Sequence, residues 1–555
     1  MDSLMHELSR IITRRQPVGP PDAAQYSSQT DLLRLLYDPS NRIHQHAEST
    51  GAPYVIGRKG AGKTAFVMAP KLRPNAVAVE LPSADIYQGV FGIVRALHQR
   101  GVEVYAEHSA RLWRQLAWSA VLCDIARTEG RRNAKTRTIF QFTEFLGNGK
   151  VPATADEAVS LYLQRVERSV VVSARAGGLG ELLTRSVSGY GWTINDAIEE
   201  GTRWLAQCPD RYVVIVDSLE RYTGALPRTP YESVEQNAFE GLFRFIGGDG
   251  TMPNRAFDIR FAFPAELWSI LEHTSSNPIK DFHQRVIAQW SARELIGLVG
   301  TRLAIYAELY EPGLSAPRIR TGDGVRPLSY DDARAMINLL LPPTVTNGMG
   351  ITEDTVAYLV RHTQLLPRHL ITILNQIWEI HGSSADDGTF PISNKAIVEG
   401  VRHGETNVVG DIIAAYKQVH PFAKLCCERL IPNLGMVFAE GDLHREYNRN
   451  GIRRETGLEF RDLERSLIEI GCVGRTVANE QTERYVIGEF EYTRPGSLYI
   501  GDGEMFCLHP VFAEVFSCRN STTRLAQLSP ADRATVRPVY PIGTDPDAPV
   551  DYRDT

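Results

Sequence analysis

The chain has 555 residues, which at about 150 residues per domain predicts three or four domains. Hydrophobic residues make up 43% and charged residues 23% of the sequence, a composition that excludes a disordered or fibrous protein. The 60 Lys and Arg against 66 Asp and Glu leave a formal net charge of -6. A chain-wide basic surface is therefore excluded, and any contact with DNA or RNA is expected to be local.

The cysteines and the apolar runs indicate the compartment. The seven cysteines show no paired C-x-x-C spacing, which favours reduced thiols over a zinc site or a disulfide framework. The amino terminus has no apolar run long enough for a signal peptide, and the sequence nowhere contains about 18 consecutive apolar residues. A soluble, cytoplasmic protein without a membrane span is predicted.

The first elements in chain order are a helix, a strand and a second helix. Residues 1–50 form a mostly polar, helical lead-in with one amphipathic piece, DLLRLLYDP, at 31–39. The segment PYVIGRKGAGKTAFVMAP then indicates a short apolar strand, a glycine-rich turn and a helix that opens at Lys63. The run AVAVEL at 76–81 suits a second buried strand.

Helices and strands alternate in the next part of the chain. Apolar residues recur at helical spacing from about 86 to 209, which predicts a helical insertion. RYVVIVDSLERY at 211–222 and FDIRFAFPAELW at 257–268 are apolar runs with polar residues at their carboxyl ends. This alternation predicts an α/β core with a parallel sheet over residues 51–290.

The remainder of the chain changes character twice. The pattern is helical over residues 291–404, which predicts an all-helical subdomain. Over 405–518 helices are followed by the strand-like segments ERYVIGEFEYT and GSLYIGDGEMFCLHP, an order typical of a winged helix. Residues 519–555 are rich in Pro and Asp and are predicted to form an extended or disordered tail.

The glycine-rich turn matches the pattern G-x-x-x-x-G-K-[ST]. Glycines reach positive φ and leave main-chain N–H groups accessible to a phosphate chain. We predict that Lys63 contacts the β and γ phosphates of a nucleotide and that Thr64 contacts Mg²⁺. A surface turn with an incidental lysine is the alternative, but it explains neither the strand nor the helix. The predicted nucleotide-binding residues of this loop are Gly57, Arg58, Lys59, Gly60, Ala61, Gly62, Lys63, Thr64 and Ala65.

Acidic residues follow the later strands. Asp217 ends the apolar run VVIV, where a carboxylate can hold a water on Mg²⁺ opposite Thr64. A helix-capping aspartate is the alternative. Glu220 is the candidate for orienting the attacking water and Glu266 is the second choice, although solvated glutamates fit the pattern equally well. The predicted catalytic residues are Lys63, Asp217 and Glu220, with Thr64 and Asp217 as metal ligands.

The segments GRKGAGKT, VVIVDSLERY, IRFAFPAELW and LLPRHLITILNQI resemble those of the AAA+ and STAND class of bacterial P-loop ATPases, including KAP-like, defence-associated members. The resemblance implies a P-loop NTPase core with a parallel sheet, a helical insertion, an all-helical lid and a C-terminal winged helix. It also implies that Arg368 reports the γ-phosphate to the lid. Arg260, or the residues just after it, would stand near the first sensor, and Arg221 resembles the arginine that follows the acidic strand.

The resemblance also implies a function. We expect an ATP-binding and ATP-hydrolysing regulatory subunit, with ATP and Mg²⁺ as cofactors, that self-associates and couples its nucleotide state to a separate effector protein. Antiviral or mobile-element defence is the implied setting. A DNA-binding ATPase that loads or remodels complexes on DNA is the alternative, and a nucleotide-sensing scaffold with negligible hydrolysis is a third.

Two basic segments are candidates for DNA contact. RRNAKTR at 131–137 is a basic cluster suited to a phosphate backbone or an acidic partner, but a short solvated loop is the favoured explanation. The second segment, 443–475, holds seven arginines interleaved with acids, and this near-neutral balance weakens the DNA interpretation. These arginines are Arg445, Arg449, Arg453, Arg454, Arg461, Arg465 and Arg475.

Overall fold

A computed structural model describes most of the chain. The described residues are 3–26, 29–38, 41–81, 83–173, 183, 185–217, 234–247, 256–268, 282, 284–317, 319–321, 324–384, 388–477, 485–493, 498–501, 503–525 and 536–544.

A five-stranded parallel sheet organises the first half of the chain, in the order β2-β3-β4-β1-β5. Alternate side chains of its central strands enter two separate cores, since Val55 lies in one and Ile56 in the other. Both faces are therefore covered, which explains why the strands are nearly continuous apolar runs. The predicted α/β fold with a parallel sheet is confirmed. The strands are β1 Tyr54–Gly57, β2 Ala76–Glu80, β3 Arg211–Val216, β4 Asp258–Pro264 and β5 Arg285–Ile287.

Helices cover the two faces of this sheet. The first four helices contribute to one core and include the predicted lead-in helix: α1 Ser3–Ser9, α2 Thr30–Leu36, α3 Arg42–Thr50 and α4 Lys63–Met68. The next six contribute to the core on the other face, and five of them lie between β2 and β3, where the helical insertion is predicted. They are α5 Ser83–His98, α6 Ala106–Glu129, α7 Arg137–Leu146, α8 Ala155–Ser173, α9 Ile194–Leu205 and α10 Val234–Gly247.

The chain after the sheet is helical, with two small hairpins. Ser291 caps the first of these helices and forms a reciprocal capping box with Glu294. The helices are α11 Ala292–Tyr310, α12 Tyr330–Leu340, α13 Thr355–Arg361, α14 Pro367–Gly382 and α15 Asn394–Tyr416. The hairpins pair β6 Arg320–Thr321 with β7 Gly324–Val325 and β8 Thr344–Thr346 with β9 Thr352–Asp354.

Residues 423–544, called here the C-terminal region, combine short helices with a second sheet in the order β10-β13-β11-β12-β14. The assignment of a winged helix to this region stays a prediction. Its helices are α16 Ala423–Leu430, α17 Glu440–Arg449, α18 Ile452–Thr456, α19 Phe460–Glu469, α20 Pro510–Val515 and α21 Thr522–Leu525. Its strands are β10 Val437–Ala439, β11 Val473–Thr476, β12 Val486–Glu489, β13 Met505–Leu508 and β14 Val539–Pro541.

Two ordered elements, α21 and β14, lie within the predicted tail. Strand β14 runs parallel to β12, and Val539 is fully buried. The Tyr540 hydroxyl donates to Glu353, and its ring packs against the guanidinium of Arg361. Part of the predicted tail is therefore an ordered strand whose alternate side chains are buried against a distant sheet. The assignment of residues 519–555 as a separate tail stays a prediction.

No helix within the described residues combines the length and the apolar composition that a bilayer crossing requires.

His509 lies fully buried where the C-terminal region meets α13 and α14. Its Nε2 is 2.9 Å from the Tyr492 hydroxyl, and its Nδ1 accepts a hydrogen bond from the N–H of Val511 at 3.3 Å. Burial lowers the pKa of His509 to about 3, a backbone hydrogen bond involving Thr363 partly opposes this, and the charges of Arg58 and Arg361 lower it further. The imidazole is therefore neutral at pH 7.

We predict that His509 makes the protein less stable in acid. Between its unfolded pKa of 6.5 and its folded pKa of about 3, the unfolded state binds a proton that the folded state does not. Stability is therefore lost as the pH falls below 6.5, by about 2 kcal/mol at pH 5. His509→Asn, which does not titrate, should lose less stability than the wild type between pH 7.5 and 5. Urea unfolding of both proteins at each pH measures this difference, and equal losses would contradict it.

Candidate functional site

The glycine-rich turn between β1 and α4, called here the phosphate loop (residues 57–64), needs glycine for its conformation. Gly60 and Gly62 have φ values of +92° and +82°, a region that side-chain-bearing residues rarely adopt. A Cβ on Gly57 would lie 2.9 Å from the Cβ of Ala288, and one on Gly60 would lie 2.8 Å from the Cβ of Arg368. The loop is thus packed tightly against neighbouring elements.

Hydrogen bonds from distant elements hold the carbonyl groups of the loop. The indole N–H of Trp290 donates to the carbonyl of Ala61 at 2.9 Å. The main-chain N–H of Arg368, at the start of α14, donates to the carbonyl of Gly60 at 3.3 Å. These bonds satisfy main-chain acceptors that an irregular turn leaves unpaired, and so they stabilise the shape of the loop.

An ammonium, a hydroxyl and a carboxylate meet at the end of the loop. Lys63 is only 6% exposed, and its Nζ donates to the carbonyl of Arg58 at 3.2 Å. The Thr64 hydroxyl donates to Oδ2 of Asp217 at 2.9 Å. Asp217 directly follows β3, and the carboxyl ends of parallel strands share one edge of a sheet. The fold therefore brings Asp217 next to Lys63 and Thr64, although Asp217 is 153 residues from Thr64 in the sequence.

A cavity of about 780 Å³, called here the loop cavity, lies beside these groups. Its volume falls in the range of about 300–1,000 Å³ that is usual for small-molecule sites. Three predicted residues, Gly57, Arg58 and Ala61, are absent from its described lining. The predicted residues that line it are Lys59, Gly60, Gly62, Lys63, Thr64, Ala65, Asp217 and Arg368.

Other lining residues carry no sequence motif, because they come from the amino-terminal segment and from the region of α11. Arg302 on α11 is 4% exposed and donates to the carbonyl of Val18 at 2.8 Å and to the hydroxyl of Tyr26 at 3.2 Å. Trp290 and Arg293 also line the cavity. The capping residue Ser291 marks the start of α11 in the sequence, but only tertiary packing places this helix beside the phosphate loop.

Arg368 lies beside the phosphate loop at the start of α14. It lines the loop cavity, and its guanidinium Nη2 is 3.4 Å from Oδ1 of Asp22. Its placement is compatible with the lid role that the resemblance implies, and that role stays a prediction.

Of the two arginines predicted near the later strands, only Arg260 lies among the described residues. Arg260 pairs with Glu48 and donates to the carbonyl of Ala52. In the register of β4 with β1, Phe261 faces Tyr54, so Arg260 lies about 13 Å along the strand from the loop end. Arg260 itself therefore lies away from the loop end, whereas the residues just after it, which the expectation also named, run along β4 toward that end, where Pro264 faces Gly57. The sensor assignment stays a prediction for those residues. Arg221 lies outside the described residues.

Of the two glutamates predicted to orient the attacking water, only Glu266 lies among the described residues. Glu220 lies outside the described residues. Glu266 is buried in a short 3₁₀ helix after β4, and its Oε1 accepts a hydrogen bond from the main-chain N–H of Lys59 at 2.6 Å. Glu266 is absent from the described lining of the loop cavity. Glu266 therefore stabilises the phosphate loop through its bond to Lys59 and does not position a water molecule in the loop cavity.

Thr64 and Asp217 fit the chemistry of Mg²⁺. Both offer hard oxygen ligands, and their side chains are already in contact. Among the described residues, no cluster of three or more His, Cys, Asp or Glu side chains is arranged to hold a metal. A cation here would take its other ligands from phosphate oxygens and water, as Mg²⁺ usually does.

The arginines of residues 443–475 are largely neutralised by ion pairs. Six of the seven lie within 4.0 Å of a carboxylate, which lowers the positive potential of this surface. The pairs are Arg445–Asp442, Arg449–Glu446, Arg453–Glu459, Arg461–Glu464, Arg465–Glu469 and Arg475–Glu489.

The parallel sheet and the phosphate loop define the class of this protein as a P-loop α/β protein. No family model matches the chain, and no curated protein matches its sequence. Among solved structures, the chain is similar to the Aeropyrum pernix ORC2 protein in its ADPNP–ADP complexes, at 13% identity over 93% of each chain and a TM-score of 0.35. A similarity this low supports no conclusion about activity or partners.

We predict that Gly60→Ala weakens nucleotide binding by about tenfold or more, because the positive φ and the contact with Arg368 together strain the loop. Gly51→Ala is the matched control, since Gly51 also has a positive φ but no heavy atom lies within 4 Å of its Cβ position. Titration with a fluorescent ATP analogue in Mg²⁺ measures both affinities. Equal losses in the two variants would show that the packing of the loop against Arg368 is unimportant.

Proposed function

We propose that the chain binds and hydrolyses ATP in a magnesium-dependent reaction. The observation that supports this function is the convergence of Lys63, Thr64 and Asp217 beside one cavity of about 780 Å³. Each supplies a different group, namely an ammonium, a hydroxyl and a carboxylate. When bound, Mg²⁺ would neutralise charge on the phosphates and on the leaving group.

A bound nucleotide would replace the carbonyl of Arg58 as an acceptor for the ammonium of Lys63. Its ammonium contacts the neutral carbonyl of Arg58 at 3.2 Å. A phosphate oxygen is a stronger acceptor for a cation than a neutral carbonyl, because both partners are then charged. A triphosphate in the cavity therefore draws the ammonium toward its β and γ groups.

Arg368 connects the nucleotide to the helical segment after the sheet. Its guanidinium lies 3.4 Å from Asp22, a partly exposed carboxylate of the amino-terminal segment. A γ-phosphate competes for the same guanidinium, and on hydrolysis that attraction is lost. The orientation of α14 relative to the sheet can thus depend on the nucleotide state.

At the biological level, we propose a regulatory subunit of the AAA+ and STAND type, with the C-terminal region as a winged helix. The resemblance in the quoted motifs supports self-association and the transfer of nucleotide state to a separate effector in antiviral or mobile-element defence. The DNA-loading alternative has weaker support, because six of the seven arginines at 443–475 already pair with acids.

We expect Lys63→Ala to weaken ATP binding and Asp217→Asn to reduce hydrolysis by about 100-fold or more, since each removes a group that the reaction requires. Lys395→Ala and Asp331→Asn make the same changes at exposed positions and should leave both properties intact. Phosphate release over many turnovers, with Mg²⁺ and with EDTA, measures the rate.

Two results would contradict this function. One is a wild-type protein that takes up no ATP in calorimetry with Mg²⁺. The other is an Asp217→Asn variant that hydrolyses ATP at the wild-type rate. ATP uptake without repeated phosphate release would instead support the scaffold alternative.

A further inference from the structure

The side chain of Arg58 points from the phosphate loop toward the C-terminal half of the protein. Its Nη2 donates to the hydroxyl of Tyr416 at 3.1 Å and to the carbonyl of Ile470 at 3.3 Å. Its guanidinium lies 5.4 Å from the ring centre of Tyr416 and 5.6 Å from that of Tyr492. One loop side chain thus joins the end of α15, the residue after α19 and the segment after β12.

The main chain around Arg58 touches the candidate site directly. The carbonyl of Arg58 accepts the hydrogen bond from Lys63, and the next N–H, that of Lys59, donates to Glu266. The position of Arg58 therefore affects both the ammonium that we assign to the phosphates and the backbone of the loop. A shift of its side chain moves these groups with it.

A small polar cavity of about 10 Å³ lies beside Arg58, between the loop and α15. Three atoms of its lining residues, Nη1 of Arg58, Oε2 of Glu266 and Oε1 of Gln364, are buried and have no hydrogen-bond partner among the described residues. The volume suits one water molecule, which could accept from the guanidinium and donate to both oxygens. Nε2 of Gln364 also donates to the carbonyl of Ile470, the group that Arg58 contacts.

The buried imidazole and the two buried phenols at this junction are neutral. Burial lowers the pKa of His369, and the charge of Arg58 lowers it further. Burial also raises the pKa of Tyr416 and of Tyr492, so both phenols keep their protons. The guanidinium of Arg58 is therefore held by hydrogen bonds, by contacts with two aromatic rings and by electrostatic attraction to Glu266. Such contacts require the C-terminal region to be seated against the loop.

We propose that Arg58 couples nucleotide binding to the docking of the C-terminal region. The docked region anchors Arg58 and so holds the phosphate loop in its binding conformation, which lowers the entropy cost of binding. By reciprocity, a bound nucleotide stabilises the docked region. Arg58 is a positioning residue in this scheme, since its side chain faces away from the loop cavity. The proposal rests on nucleotide binding at the loop, as proposed above.

The first test measures affinity for ADP with Mg²⁺, which separates binding from hydrolysis. Arg58→Ala should weaken ADP binding by about tenfold and Tyr416→Phe by about threefold, although Tyr416 is outside the loop cavity. Tyr447→Phe is the matched control, because this buried tyrosine of the C-terminal region bonds to the carbonyl of Leu458 and does not contact Arg58. Arg58→Lys keeps the charge without the planar pair of donors, and its affinity should lie between those of the wild type and Arg58→Ala.

The second test follows amide hydrogen exchange in residues 460–477, which include Ile470. Saturating ADP with Mg²⁺ should slow exchange there in the wild type and in Tyr447→Phe. The same saturation should leave exchange unchanged in Arg58→Ala. A purely structural role of Arg58 would alter the basal exchange rate but would keep the response to ADP.

The outcomes distinguish the two proposals. ADP binding with an equal exchange response in the wild type and in Arg58→Ala overturns the coupling and leaves the proposed function intact. ADP binding by the wild type with no exchange response has the same meaning. Absence of any nucleotide binding by the wild type overturns both.

Discussion

The conformation of the phosphate loop is the constraint on which the rest of the candidate site depends. A glycine-rich segment loses more conformational freedom on ordering than other segments do, so its shape must be maintained by contacts from elsewhere. Here Trp290, Arg368 and Glu266 reach the loop from three different parts of the chain. The loop, the helical segment and the sheet therefore pack together around the loop cavity.

The sequence was sufficient to predict the sheet and the chemistry at its edge. Strands buried on both faces appear as continuous apolar runs, and this pattern is local. The motif at 57–64 and the acid after β3 could likewise be located from neighbouring residues alone. Parallel strands then place both at one edge, so the contact between Thr64 and Asp217 follows from the fold class.

These local sequence patterns could not predict contacts between residues that are far apart in the sequence. Arg260 lies within β4 and Asp217 directly follows β3, but only the register shows that Arg260 faces Ile215, and only the tertiary contacts show that its side chain bonds to Glu48 and Ala52. Strand β14 is three residues long and has no periodicity that could reveal its pairing with β12. The direction of the Arg58 side chain depends on Tyr416 and Tyr492, which are hundreds of residues away.

The free energy of the Arg58 contacts is small enough for them to form and break reversibly. Each hydrogen bond contributes about 1 kcal/mol net, and each cation–π contact contributes about 1 kcal/mol when partly buried. Two of each give a few kcal/mol, from which the ordering of the side chain must be subtracted. A residual of about 1.4 kcal/mol already shifts an equilibrium tenfold. The contacts can therefore bias the docking of the C-terminal region without making it permanent, which is the range that a nucleotide-dependent switch requires.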